Sequence, residues 1–154
     1  MLQDLRIIKL GRGDALPMSL LLLADEAVEA IEKYIHQCDV YVLVSDLIRP
    51  VGVFALQPNS PEEIELKNMA VIEPLQGQGL GSFMLKEIHR LAATGGYLTI
   101  LVGTATLGRQ VNFYRKNGFS PCGLRRNFFL DNYPEPVFEE GQRLCDMLLL
   151  ERKV

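Results

Sequence analysis

The alternation of apolar and polar positions predicts a mixed architecture before any motif is considered. Residues 5–10 read as a first strand, closed by a turn at Gly11, Gly13 and Asp14. After Pro17, the apolar positions Leu21, Ala24, Val28, Ile31 and Ile35 recur every three or four residues, the period of one helix face or of two short helices in series. Asp25 is the expected cap of the second helix. Residues 40–44 are β-branched and aromatic, 46–50 supply turn residues, and 51–56 are apolar again, which predicts an antiparallel hairpin. Beyond a polar loop at 57–61, Glu63–Val71 reads as a strand with Ile64, Leu66 and Met69 spaced for burial. Residues 76–81 form a glycine-rich turn. Met84, Leu85, Ile88, Leu91 and Ala92 then mark a helix that ends at Gly95 and Gly96. The run 97–102 has the continuous apolarity of a strand buried on both faces. Residues 106–117 predict a helix stopped by Gly118. Residues 119–129 and 144–151 predict the last two strands, on either side of an Asn-Tyr-Pro-Glu-Pro loop. Strands first, then a strand-helix-strand unit, then closing strands imply a mixed sheet with helices on its faces.

No repeat, low-complexity tract or linker divides the 154 residues, so a single domain spanning 1–154 is expected. Hydrophobic residues at 48% and charged residues at 23% suit a globular chain with a real core. A net charge of -3 argues against nucleic acid as a partner, because phosphate binding needs a concentrated basic surface. Cys38, Cys122 and Cys145 are widely spaced, with neither a disulfide framework nor zinc-site spacing. They read as buried small hydrophobes in a reducing compartment. His36 and His89 offer no H-E-x-x-H pair, so no metal is expected. The apolar run 20–23 is too short for a membrane span, and a soluble, cytoplasmic protein is expected.

The chemistry concentrates in Val71-Ile72-Glu73-Pro74-Leu75-Gln76-Gly77-Gln78-Gly79-Leu80-Gly81-Ser82, entered from a strand and left by a helix. Glycines at alternate positions let backbone approach a ligand and reach torsions closed to other residues. Inward-facing N–H groups and the positive end of the following helix make an anion cradle suited to a pyrophosphate. A glycine turn that merely joins strand to helix has the same local pattern. Two other phosphate loops are excluded: no G-K-[ST] follows, and Met84 stands where G-x-G-x-x-G needs its last glycine.

Residues 76–81 fit the Q/R-x-x-G-x-G/A signature of the GNAT superfamily of acyl-CoA-dependent N-acetyltransferases. Glu65-Leu66-Lys67-Asn68-Met69-Ala70-Val71 resembles that family's fourth strand, and Asn112-Phe113-Tyr114-Arg115-Lys116-Asn117-Gly118-Phe119 resembles its second cofactor motif. Phe128-Phe129, Tyr133, Pro136-Val137, Glu139, Gly141 and Asp146-Met147 resemble the tail of a bacterial subgroup of poorly defined substrate. The resemblance implies an α/β (α+β) fold: a mixed, mostly antiparallel central sheet of about seven strands with helices on both faces. It also implies acetyl-CoA as acyl donor, a primary amine as acceptor, and direct attack in a ternary complex. Homodimerisation through the carboxyl-terminal strands is a further implication.

Residue by residue, the resemblance implies that Gln76, Gly77, Gln78, Gly79, Leu80, Gly81 and Ser82 hold the CoA pyrophosphate, largely through backbone. The pantetheine arm is expected between the fourth and fifth strands, along Met69, Ala70 and Val71, with a backbone N–H near Met69 or Ala70 steadying the carbonyl oxygen. An alkyl ammonium with a pKa of about 10.4 must lose a proton before attack. Glu65 is the implied acceptor of that proton, with Glu63, Asp46 and Asp146 as competitors and a solvated strand glutamate as the plain alternative. Tyr114 is the implied proton donor to the leaving thiolate and a cofactor contact; the alternative is an aromatic packed beside Phe113. Relatives with this tail carry Gly-Asn after the fifth strand where this chain has Ala105-Thr106, which leaves Asn112 as the candidate CoA-binding asparagine. Arg125-Arg126 is open to three readings: a CoA phosphate contact, an acidic substrate group, or a solvated pair. With no docking extension in the sequence, a small-molecule acceptor is expected over a protein lysine or amino terminus. A non-catalytic acyl-CoA sensor is the other alternative.

Overall fold

The computed structural model describes residues 4–45, 49–106 and 109–154. In chain order the elements are β1 (Arg6–Lys9), α1 (Met18–Ala24), α2 (Val28–Glu32), β2 (Asp39–Val44), β3 (Pro50–Pro58), β4 (Glu63–Val71), α3 (Leu80–Thr94), β5 (Thr99–Ala105), α4 (Arg109–Lys116), β6 (Ser120–Arg125), α5 (Phe128–Asn132), β7 (Phe138–Glu139), β8 (Gln142–Arg143) and β9 (Met147–Lys153). Seven strands form one sheet in the order β1-β2-β3-β4-β5-β9-β6, and β7 and β8 form a separate hairpin. Among the described residues only the β4–β5 pair is parallel, and every other pair in the sheet is antiparallel. This is the mixed, mostly antiparallel seven-stranded sheet expected from the sequence.

Each face of the sheet carries its own core. On one face α3 buries Leu80, Met84, Leu85, Ile88 and Ala92 against Phe54, Leu56, Ile64, Leu66, Ile100, Val102 and Leu150, with Tyr114 and Phe119 beside them. The spacing of the five α3 positions is that of one helix face, and each larger side chain contributes on the order of 1.5–3 kcal/mol relative to exposure. Gly96, at φ 79°, turns the chain out of the helix in the left-handed region. On the other face Leu20, Leu21, Ile31 and Ile35 cover Val40, Val42, Val44, Val53, Ala55 and Ala70.

Four expectations need correction. The cysteines are not buried: Cys122 and Cys145 are exposed and Cys38 is half-buried. Residues 119–129 are not one strand: β6 stops at Arg125, Asn127 takes a left-handed φ of 58°, and a short helix follows. Leu144 precedes the last strand rather than starting it, and packs with Ala105 and Val137 in a small satellite core. Asp25 is not a cap of α2, whose N-cap is Ala27; it ends α1 in an extended conformation.

The feature that shapes the site is a fork in the sheet. β4 and β5 pair over only four positions, from Glu63↔Thr99 to Leu66↔Val102. At that point β4 carries a bulge, since Leu56 faces Leu66 and Ala55 faces Asn68, leaving Lys67 as the extra residue. Beyond it β4 continues along β3 to Val71 while β5 continues along β9 to Ala105, and the two strands part.

Candidate active site

Main-chain groups of β4 are exposed to the fork in alternation. Ile72 N–H bonds to the Val51 carbonyl at 3.0 Å, so the antiparallel ladder runs through Ala70↔Val53 and Asn68↔Ala55 as hydrogen-bonded pairs. Met69 and Val71 therefore turn their N–H and C=O groups away from β3, toward the side that β5 has left. The Val71 carbonyl accepts a hydrogen bond from Gln76 Nε2 at 2.9 Å, in keeping with that orientation. Of the three residues expected to meet a pantetheine arm, Met69 and Val71 thus offer main chain to the fork. Ala70 does not: its main chain is committed to β3 and its side chain is buried in the α1–α2 core.

The glycine-rich turn closes the wide end of the fork. Gly77 and Gly79 adopt φ of 77° and 85°, torsions costly for any residue with a Cβ, and a Cβ built on either would meet nothing within 4 Å. Their outer side is open to a ligand. Gly79 is the N-cap of α3 and no side chain caps that end, so the first-turn N–H groups of Leu80, Gly81 and Ser82 have no intrahelical partner. Leu80 contributes main chain only, because its side chain is buried in the α3 core. Gly81 also governs packing, since a Cβ there would stand 3.0 Å from Phe113 Cζ and its absence lets α4 approach α3. Gln78 donates to the Pro74 carbonyl at 3.4 Å and remains exposed. A row of main-chain partners ending at an anion-accepting helix terminus fits the shape and chemistry of an acyl-CoA.

On the α1 side of the sheet the fork opens into a cavity of about 270 Å³. Glu65, Leu66 and Lys67 of β4 and Gly103, Thr104 and Ala105 of β5 form its floor. The end of α1, Gln110 of α4, α5 and the β7–β8 hairpin wall it in. Glu65 is buried, with its side chain 5% exposed. Arg125 grips it from β6 through Nη1 to Oε2 at 2.9 Å and Nη2 to Oε1 at 3.0 Å. Asn59 Nδ2 adds a bond to Oε1 at 3.0 Å, and Lys67 Nζ lies 3.5 Å from Oε2. Burial pushes the Glu65 carboxyl up, but the Arg125 hydrogen bonds, the Lys67 charge and Asn59 together outweigh it and hold the group below the usual glutamate range. Glu65 is therefore an ionised, fully partnered carboxylate. The Arg125 guanidinium, open to three readings from sequence, belongs to this pair; Arg126 is exposed.

Asp25 faces the same cavity with a different set of partners. Its Oδ2 accepts the Tyr34 hydroxyl at 2.9 Å, and its Oδ1 accepts the Tyr133 hydroxyl and, at 2.8 Å, the N–H of Glu26. Asn68 Nδ2 in turn donates to the Tyr34 oxygen at 3.1 Å and to the Leu21 carbonyl at 3.0 Å. Burial and the adjacent Asp25 raise both tyrosine pKa values, so both hydroxyls stay protonated donors. The sequence alone makes Asp25 a helix cap, and nothing local reveals partners nine and 108 positions away.

The other expected residues scatter. Tyr114 is buried and packs edge-on against Phe113 and Phe119, at ring-centroid distances of 5.2 and 5.5 Å. Burial raises its hydroxyl pKa. It lies one helical turn from the cavity residue Gln110, on the same face of α4. Gln110 accepts from the Thr104 hydroxyl at 2.8 Å, and no motif in the sequence marks it as a cavity residue. Asn112 sits on the opposite side of α4 and is exposed, away from both. Glu63 shares Asn59 with Glu65, Asp146 accepts the Asn127 N–H at 2.8 Å, and Asp46 lies outside the described residues. Among the described residues no three His, Cys, Asp or Glu side chains converge as a metal site would require, and no helix is long and apolar enough to cross a membrane.

Comparison with known proteins agrees with this geometry. The sequence profile of the acetyltransferase (GNAT) domain matches residues 36–121, more than half the chain. The chain is 34% identical over 133 residues to the uncharacterised N-acetyltransferase YvbK of Bacillus subtilis (strain 168), covering 85% of this chain and 84% of that protein. A GNAT family acetyltransferase from Elizabethkingia anophelis, solved with acetyl-CoA bound, is 36% identical with a TM-score of 0.92, covering 98% of this chain and 99% of that one. The IAA acetyltransferase of Bacillus cereus ATCC 14579 is 31% identical with a TM-score of 0.90, covering 98% and 100%. By motif, by sheet topology and by relatives matched along nearly its whole length, this chain belongs to the GNAT superfamily of acyl-CoA-dependent N-acetyltransferases.

Proposed function

We propose that the protein transfers the acetyl group of acetyl-CoA to a primary amine of a small, polar, cationic molecule by direct attack within a ternary complex. The observation that carries this reading is the position of the cavity at the fork: it touches β4 and β5 at the residues where the two strands part. A donor laid along Met69 and Val71 would meet an acceptor in the cavity at that point. The Elizabethkingia anophelis relative binds acetyl-CoA, which supports the same donor here.

When bound, the donor supplies an acyl thioester; the chain's own groups do the rest. The open N–H groups of Leu80, Gly81 and Ser82 hold the pyrophosphate, with Gly77 and Gly79 clearing the approach and Gln76 bracing the Val71 carbonyl. Met69 N–H, rather than Ala70 N–H, is the main-chain donor aimed into the fork. Tyr114, kept protonated by burial, is the proton donor to the departing thiolate. Glu65 stays ionised in the cavity floor with its oxygens occupied and its pKa lowered, so it steadies the incoming ammonium by its charge while the amine proton leaves through water to solvent.

Two observations favour a small cation. The cavity is about 270 Å³, and Asp25, Glu26, Glu65 and Glu139 line it against Lys67, with Arg125 paired to Glu65. An excess of carboxylate draws in an ammonium. Three unpaired cysteines suit a reducing, cytoplasmic setting.

The test is release of free CoA from acetyl-CoA in the presence of lysine, cadaverine, spermidine, kanamycin or a short peptide. A no-amine control and a blank for the exposed Cys122 and Cys145 accompany it. Amine-dependent release is expected. Release driven by the peptide alone would move the acceptor to protein amines. No release with any amine, and no acetyl-CoA binding by calorimetry, would overturn the reading.

A further inference from the structure

Glu65 and Asp25 line one cavity, and their hydrogen bonds set them apart. A carboxylate offers about four lone-pair sites, two on each oxygen. Glu65 accepts three hydrogen bonds from within the protein, from Asn59 and Arg125 on Oε1 and from Arg125 on Oε2, and Lys67 Nζ adds a second cation 3.5 Å from Oε2, whereas every donor to Asp25 is neutral. Asp25 carries the Tyr133 hydroxyl and the Glu26 N–H on Oδ1, but only the Tyr34 hydroxyl on Oδ2. One acceptor site on Oδ2 remains, on a group that borders both the main cavity and a smaller adjoining one of about 170 Å³.

We propose that Asp25, not Glu65, is the carboxylate that binds the protonated amino group of the acceptor, with Tyr34 and Tyr133 as its positioning residues. The two hydroxyls come from different elements, one just after α2 and one at the end of α5, and they fix the carboxylate plane as a single flexible contact would not. Both tyrosines are protonated, so they donate to the carboxylate without bringing a compensating positive charge. Tyr34 is itself held by Asn68, a β4 residue only 5% exposed, which links the carboxylate to the strand that flanks the fork. The neighbouring Glu26 is exposed, and among the described residues nothing braces it comparably. Lys67 Nζ stands 5.2 Å from the centre of the Tyr34 ring and pairs with Glu65, and Lys33, which lines the adjoining cavity, donates to the Asn132 carbonyl, so both of these cations are already engaged. An ammonium entering the cavity therefore finds one oriented carboxylate with spare capacity.

This inference rests on the acetyltransferase reading, and the experiment keeps the two apart. The substrate is whichever of lysine, cadaverine, spermidine, kanamycin or the peptide is acetylated fastest. Asp25→Asn is expected to raise its KM about 10- to 100-fold, the worth of one charge-assisted hydrogen bond, while the acetyl-CoA Kd stays within twofold. Tyr133→Phe keeps the carboxylate and loosens it; a smaller KM rise with little change in kcat is expected, and it serves as the second measurement if Asp25→Asn folds poorly. Wild-type turnover with an unchanged amine KM in both variants would overturn the role of Asp25 and leave the acetyltransferase reading standing. A wild-type protein that binds acetyl-CoA but acetylates none of the five amines would also count against it. A wild-type protein that does not bind acetyl-CoA would fail at the broader reading first.

Discussion

Glu65 and Arg125 stand sixty positions apart in the chain and meet across two intervening strands, joined by hydrogen bonds of 2.9 and 3.0 Å. The reach depends on Gly103. A Cβ there would stand 2.9 Å from Met147 Cγ and nearer still to Sδ, so the bare glycine lets Met147 lie across β5. Arg125 Nη1 passes 3.8 Å from that sulfur on its way to the carboxylate.

Arg125→Met removes the charge while keeping length. It should cost about 1–3 kcal/mol at pH 7, because a buried carboxylate loses two charge-assisted bonds. The pH dependence has a defined sign. The folded pKa of Glu65 lies below its ordinary value of 4.5, so the pair's contribution is full above that value and is lost as pH falls through the lowered pKa. Urea unfolding of wild type and variant should therefore converge as pH falls below the ordinary glutamate value and through the lowered pKa. A gap that stays constant over that range would assign Arg125 to packing.

Gly79→Val places a β-branched residue at φ 85°. Nothing lies within 4 Å of the added Cβ, so the cost is torsional, about 1–2 kcal/mol, and it falls on the turn itself. Acetyl-CoA affinity should drop about tenfold or more as the α3 N–H groups shift, whereas Gly79→Asn, which tolerates this torsion, should lose less. Calorimetry decides; unchanged affinity in the valine variant would defeat the cradle.

Tyr114→Phe deletes a hydroxyl whose pKa is raised by burial. Thermal stability should barely move, since the ring packing against Phe113 and Phe119 survives. Turnover should fall about 100-fold with acetyl-CoA binding intact, as expected of a lost proton donor. A variant with full kcat would return Tyr114 to the packing residues.

Much of this fold could be read from periodicity. The bounds of β4 follow from its flanking turns, and the β2–β3 hairpin from two β-branched runs around a polar break. The glycine turn marked the start of α3. What escaped was set by distance in sequence. Whether Glu65 is a free base or a clamped ion depends on a residue of β6, delivered by the register of β5 and β9 over a glycine. Asp25 carries ordinary cap propensity, so its two tyrosines could be found only in three dimensions. The five-residue α5 is too short to display a helical period, and its aromatic residues imitate a strand.

The fork gives this protein an unusual kind of edge. Most sheets expose unpaired strand groups at the rim, where a neighbouring chain can add on; here such groups also occur in the middle, between strands still joined at one end by a ladder of four pairs. A donor seated there would act as a surrogate strand, completing the sheet with a metabolite instead of polypeptide. The resting protein would then be an unfinished sheet whose solidity follows the supply of its own substrate, gaining about 2.7 kcal/mol at a concentration one hundred times Kd. In amide hydrogen exchange that dependence would be written with a period of two along β4: Met69 and Val71 slowing with donor, Asn68 and Ala70 already slow without it.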